Sequence, residues 1–413
     1  MNTGRLSLRL TALAQKALHT ARHSLVSCTC AVAMLYACSD HKSHTPDIAE
    51  QRTVLVYMAA DNNLGYNGFA ASDLKEMMEA SRSLSQADHL LAFVDGYSRE
   101  PSYILEIASG DTTRVYTFSE NVRSSDAAVL RQVIDWVQVY RPAGSFGLVL
   151  WGHATGWEPQ NASSKAARRR AYGIDQNHSF TSTWMDIDEM AAAFNGLQQM
   201  DFIFADCCAF QCVETAYELR SATRYIIASA AEIPDVGAPY NTVVPHLFLR
   251  DNETLCRRVI DAYYVQVRQG YQEPLSAVRT ADLQPLAEAT RQALATCAFD
   301  GPYPPTDSII SYYDRSMFDM KDFMIHSLSA DVYAQWLTAF NAAVIYSTWV
   351  PVWMTDGGSP HVDFSRFTIT EERMGGVSMF VPQRPVTLFL QTLDRYADRM
   401  QWYAAAGIDQ LRK

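Results

Sequence analysis

Positive charge is scarce in this chain: 34 Lys and Arg stand against 45 Asp and Glu among 413 residues, for a formal net charge of −11. Nucleic-acid binding rests on neutralising phosphates with Lys and Arg, so no nucleic-acid partner is expected. Long apolar runs are missing too. Beyond residue 50 nothing is apolar for long enough to span a bilayer. There is no internal repeat and no low-complexity tract. The 8 cysteines form neither a disulfide framework nor a zinc-ligand spacing, with three of them crowded at Cys207, Cys208 and Cys212. What remains is 48% hydrophobic and 19% charged, too apolar for disorder and too interrupted by charge for a polytopic membrane protein.

The amino terminus reads as an address rather than as structure. Arg5, Arg9, Lys16 and Arg22 precede an apolar stretch, residues 24–38, that ends Leu35-Tyr36-Ala37-Cys38. The stretch is too short to cross a membrane comfortably and fits the apolar region of a signal peptide. Its ending resembles a bacterial lipobox, which implies cleavage after residue 37 and a diacylated Cys38. Residues 38–50 are polar and suit a tether from lipid to domain. The expected location is therefore the bacterial cell envelope, lipid-anchored. Removal of the signal and lipidation of Cys38 leave an odd number of cysteines, hence at least one free thiol.

From residue 53 short β-type runs alternate with helical patterns. Strands are expected at 53–59, 90–95, 103–107, 114–118, 146–151, 201–205 and 225–230, and helices near 68–82, 124–140, 186–197 and 211–221. The runs at 53, 90, 146 and 201 are almost wholly apolar, as in strands buried on both faces. This alternation predicts an α/β fold with a largely parallel sheet between helices. A catalytic domain over 51–285 and a carboxyl-terminal subdomain over 286–413 are expected. The second carries helical patterns near 280–297 and 330–348, a β-like run at 376–382 and a terminal helix from 386 to 404. Gly301-Pro302-Tyr303-Pro304-Pro305 reads as a loop or hinge.

Three strand ends are unusually polar: Ala60-Asp61-Asn62-Asn63-Leu64, Trp151-Gly152-His153-Ala154-Thr155-Gly156-Trp157 and Asp206-Cys207-Cys208. In a parallel sheet all three lie along one carboxyl edge. A His and a Cys can meet there, and an imidazole beside a thiol can take its proton and later protonate a leaving amine. The plainer alternative is a packed histidine and buried core thiols. Metal binding by this pair is not expected, because no further ligands stand at useful spacing. No acidic loop has a calcium-ligand pattern, and no cofactor is expected.

Together these blocks resemble the signature segments of the clostripain family of cysteine peptidases, which typically show Trp-Gly-His-Gly-Ser-Gly-Trp and Asp-Ala-Cys-Leu-Met. The match extends through Val213–Leu219, Ala231–Pro234, Phe318–Phe323 and Gly376–Pro382, so it covers roughly residues 53–403. The resemblance implies a caspase-like three-layer α/β/α sandwich with a mostly parallel central sheet and a mixed α+β carboxyl-terminal subdomain. It places His153 on the catalytic histidine, Cys208 rather than Cys207 on the nucleophile, and Asp206 on the acid that selects Arg or Lys before the scissile bond. Asp61 and Asn62 are expected to organise their loop, not to catalyse. Two departures stand out: Ala154-Thr155 replaces Gly-Ser, and Cys207 puts a second thiol beside the nucleophile, where it is open to oxidation.

The implied activity is endopeptidase cleavage of proteins or peptides after Arg or Lys by a monomer. Lys165, Arg168, Arg169 and Arg170, in a polar stretch between the histidine and cysteine blocks, offer the residues such a pocket selects, so self-cleavage within 160–172 is expected. The competing readings are a catalytically silent surface lipoprotein that binds peptides or glycans, and an asparaginyl or transpeptidase activity on the same fold.

Overall fold

In the computed structural model, alternation along β1 (Arg52–Ala60) sets the layering. Leu55, Tyr57 and Ala59 face one apolar cluster, while Val54, Val56, Met58 and Ala60 face another. The same period of two divides the buried residues of β2 (Asp88–Gly96), β5 (Ser145–Trp151) and β8 (Phe202–Asp206). These strands are therefore covered on both sides. The structure describes residues 47–98, 100–157, 172–176, 182–268, 270–299, 303–313, 317–355, 362–384 and 388–412.

The remaining strands are β3 (Tyr103–Ala108), β4 (Asp111–Thr117), β6 (Tyr172–Asp175), β7 (Thr183–Met185), β9 (Tyr225–Ser229), β10 (Leu275–Arg279), β11 (Ser311–Tyr313), β12 (Met317–Asp319), β13 (Val344–Ser347) and β14 (Ser378–Phe380). The main sheet has nine strands in the order β13-β10-β9-β8-β5-β1-β2-β3-β4. Its centre, β9-β8-β5-β1-β2, is parallel throughout. Antiparallel pairs extend it at both edges. A small sheet of β11, β12 and β14 and a hairpin of β6 and β7 complete it.

The helices Phe69–Ser81, Tyr240–Leu247 and Asn252–Tyr264 bury their apolar stripes against one face. The helices Ala127–Tyr140, Ile187–Ala193, Val213–Glu218, Leu283–Leu294 and Ala330–Ala343 cover the other. The result is the caspase-like α/β/α sandwich that the resemblance implies. Residues 47–413 form one compact unit, and β13 from the carboxyl-terminal section joins the main sheet beside β10.

Two expected helices differ in extent. The pattern at 330–348 is helical only to Ala343, after which the β-branched pair Val344-Ile345 begins β13. The terminal pattern is two helices, Leu388–Ala397 and Gln401–Ala406, rather than one. The chain leaves β1 on one face of the sheet and β5 on the other. The crevice beyond their carboxyl ends is thus the switch point of the fold, where such sheets bind ligands.

Candidate active site

Register brings the expected pair together. β5 and β8 run parallel with Trp151 paired to Asp206, so His153 and Cys208 each stand two residues beyond the same rung on neighbouring strands. Adjacent strands lie roughly 4.8 Å apart. Around His153 the backbone is tightly drawn in. Its carbonyl accepts from Gly173 N at 2.8 Å, and Ala154 bridges Tyr172. Gly156 adopts φ +68°, and a Cβ there would sit 2.8 Å from the carbonyl oxygen of Ala209, the residue after Cys208.

The imidazole is half-buried. Its Nε2 lies 2.8 Å from Oδ1 of Asn63, which can only accept, so Nε2 carries the proton and Nδ1 keeps a lone pair. Burial lowers the pKa of His153, partly opposed by the charge of Asp235, which favours the neutral ring. Asn62 holds this strand end in place. Its amide donates to Ala59 O and Ile174 O, while its oxygen caps the following helical turn at Leu64 N.

Cys207 and Cys208 point into different surroundings. Cys207 is 1% exposed within the apolar core, and burial pushes its thiol well up. Cys208 is half-buried, and Ala209 after it takes a positive φ of 51°, an unusual turn for a residue with a side chain. The Cys208 thiol donates weakly to Ile233 O at 3.8 Å and accepts from Ile233 N at 3.4 Å. Burial pushes this thiol up to about 12, helped by the charges of Glu232, Glu273 and Asp206 and opposed by the Ile233 amide.

Asp206 is buried, and its carboxylate accepts from Ala238 N, from Tyr240 Oη at 2.9 Å and from Tyr263 Oη at 3.4 Å. Burial raises its pKa while those donors and Arg268 pull it back. Arg268 itself donates to Val236 O and Gly237 O. Glu232 and Glu273 are buried close by. Glu232 falls in the matched segment Ala231–Pro234, but Glu273 does not stand out in the sequence, because only the turn before β10 brings it to Cys208.

Asp61, Asp95 and Asp175 place carboxylate oxygens within 4.8 Å of one another, all buried, and this trio could hold a cation. Each comes from the end of a different strand, so no loop spacing announces it. Asp95 is itself held by Ser102 Oγ, Asn121 Nδ2 and Ser124 N. The cleavage candidates Lys165, Arg168, Arg169 and Arg170, the lipidation candidate Cys38, and Gly301-Pro302 of the expected hinge lie outside the described residues. Among the described residues no helix is long and apolar enough to cross a membrane.

A histidine and a cysteine just beyond the ends of adjacent parallel strands in an α/β/α sandwich are the setting of a cysteine peptidase. Residues 56–342 match the model of the clostripain family, and the chain belongs to that family. Its fold is similar to the X-ray structure of a secreted C11 cysteine protease from Bacteroides thetaiotaomicron in complex with an irreversible peptide inhibitor. That likeness has a TM-score of 0.72 and 26% identity, over 87% of this chain and 99% of that one. It is also similar to an inactive zymogen C11 protease from Parabacteroides distasonis, with a TM-score of 0.70 and 25% identity over 86% and 97% of the two chains. No curated protein matches. The protein is a cysteine protease.

Proposed function

We propose that the chain is an endopeptidase that cuts after Arg or Lys, with Cys208 as nucleophile and His153 as general base and acid. The position of His153 and Cys208, each two residues past the paired strand ends Trp151 and Asp206, carries this reading. Nδ1 of His153 takes the thiol proton, and the thiolate adds to the scissile carbonyl. The imidazolium then protonates the departing amine, leaving an acyl-enzyme that water hydrolyses. Asp206 contributes negative charge from beneath the pocket, its carboxyl group accepting from Ala238 N and the Tyr240 hydroxyl, and this favours a guanidinium or ammonium above it.

In the same reading the chain matures by cutting itself after Lys165, Arg168, Arg169 or Arg170, and Cys38 carries a lipid that fixes it to the cell envelope. A panel of fluorogenic peptides ending in Arg, Lys or Asp, with intact-mass analysis of the purified enzyme, tests the proposal. Cleavage after Arg and Lys and a nick within 160–172 are expected. Activity on the Asp peptide alone would remove the basic pocket, and an active enzyme intact through 160–172 would remove self-processing.

A further inference from the structure

Glu273 is 2% exposed, yet among the described residues neither of its carboxylate oxygens has a hydrogen-bond partner. Continuing the antiparallel register of Leu275 with Ser229 and Ser276 with Ala228 sets Glu273 opposite Ala231. It thus stands beside Glu232 and within two residues of Ile233, whose backbone holds the Cys208 sulfur. Among the described residues the groups facing it supply no cation. They are Glu232 from the 231–238 loop, Cys208 from the end of β8, and Tyr263 from the helix Asn252–Tyr264. Residues 347–355 contain no charge, and Arg268 is committed to two backbone carbonyls.

We propose that Glu273 is the counter-ion of the cationic P1 side chain, an inference that rests on the basic-P1 reading above. A buried carboxyl without donors stays protonated, and burial together with Glu232 pushes Glu273 up to about 9. An entering guanidinium supplies up to five N–H donors and a fixed positive charge. The Oε–H bond of Glu273 then breaks, the proton passes to solvent, and the carboxylate pairs with the substrate. Entry parts the 231–238 loop from Met354, to which Glu232 is bridged. Binding of a cationic P1 side chain therefore releases a proton, and binding of a neutral one does not.

The test compares kcat/KM for two peptides that differ only in having Arg or citrulline at P1. The Arg-to-citrulline ratio cancels the titrations of Cys208 and His153 and the fraction of enzyme folded. In the unaltered enzyme the ratio should climb with pH below about 9, by up to tenfold per unit. In Glu273→Gln it should fall about 30-fold or more and become flat in pH. A ratio that is already flat in the unaltered enzyme, or that keeps its size and slope in Glu273→Gln, overturns the assignment of Glu273. No preference for Arg over citrulline in the unaltered enzyme overturns the basic-P1 reading itself, and this inference with it.

Discussion

Cys207 and Cys208 share a side chain and differ in where the strand turns them. Cys207 packs into the core, whereas Cys208 emerges against Ile233 at the crevice. Cys208→Ala should abolish peptide cleavage, and Cys207→Ala should keep most of it. The reverse outcome would move the nucleophile by one residue. This choice was open to sequence reasoning through the spacing to Val213-Glu214. The role of Asn63 was not, because it depends on a side-chain bond across 90 positions. Asn63→Ala frees the imidazole to rotate, and kcat should fall about 10- to 100-fold with KM nearly unchanged. Steady-state kinetics on an Arg peptide checks the split. A KM effect alone would assign Asn63 to substrate binding.

Among the elements, β6 is only four residues long and gives no readable alternation, yet it braces the catalytic edge. The Tyr172 hydroxyl lies 2.8 Å from the carbonyls of both Tyr57 and Trp151, bridging β1 and β5 with its one shared proton, and Gly173 N holds the His153 carbonyl. Tyr172→Phe removes the one donor that the two carbonyls share. It should cost about 1 kcal/mol of stability, visible in chemical denaturation, together with slower turnover. The central strands were legible because burial on both faces demands continuous apolar runs. The helix Tyr240–Leu247 was obscured by Pro245, tolerated in this short helix. The helix Asn252–Tyr264, with its Asp251 cap and buried Leu255, Cys256, Val259, Ile260 and Tyr263, obeys the ordinary rules. The strand-and-helix outline drawn from sequence passes over it all the same.

For the whole molecule, the buried acids set how stability responds to pH. Asp73 accepts from Trp151 Nε1 at 2.7 Å, and burial, with the charge of Asp206, raises its pKa from 3.8 to about 8. Between those values the folded chain keeps a proton that the unfolded chain has lost. Stability therefore declines as pH rises through the window and levels off above it. Asn at this position still accepts from Trp151 and never ionises. The melting temperature of Asp73→Asn minus that of the unaltered protein should grow from about pH 4 to 8 and then stay constant. A difference independent of pH would mean that Asp73 is ionised in the fold. This network of acids was invisible in composition, since −11 as a net charge says nothing about which carboxyls are buried.

The high proton affinity of the Cys208 thiol also bears on how the protein can be labelled or inhibited. Small alkylating reagents consume thiolate, and at neutral pH the resting sulfur supplies almost none. On the proposed mechanism a peptide-shaped reagent seats its electrophile beside Cys208 and His153, whose imidazole takes the thiol proton as the bond forms. On that mechanism reactivity is conditional on recognition, and small indiscriminate electrophiles spare a thiol that a correctly shaped chain engages.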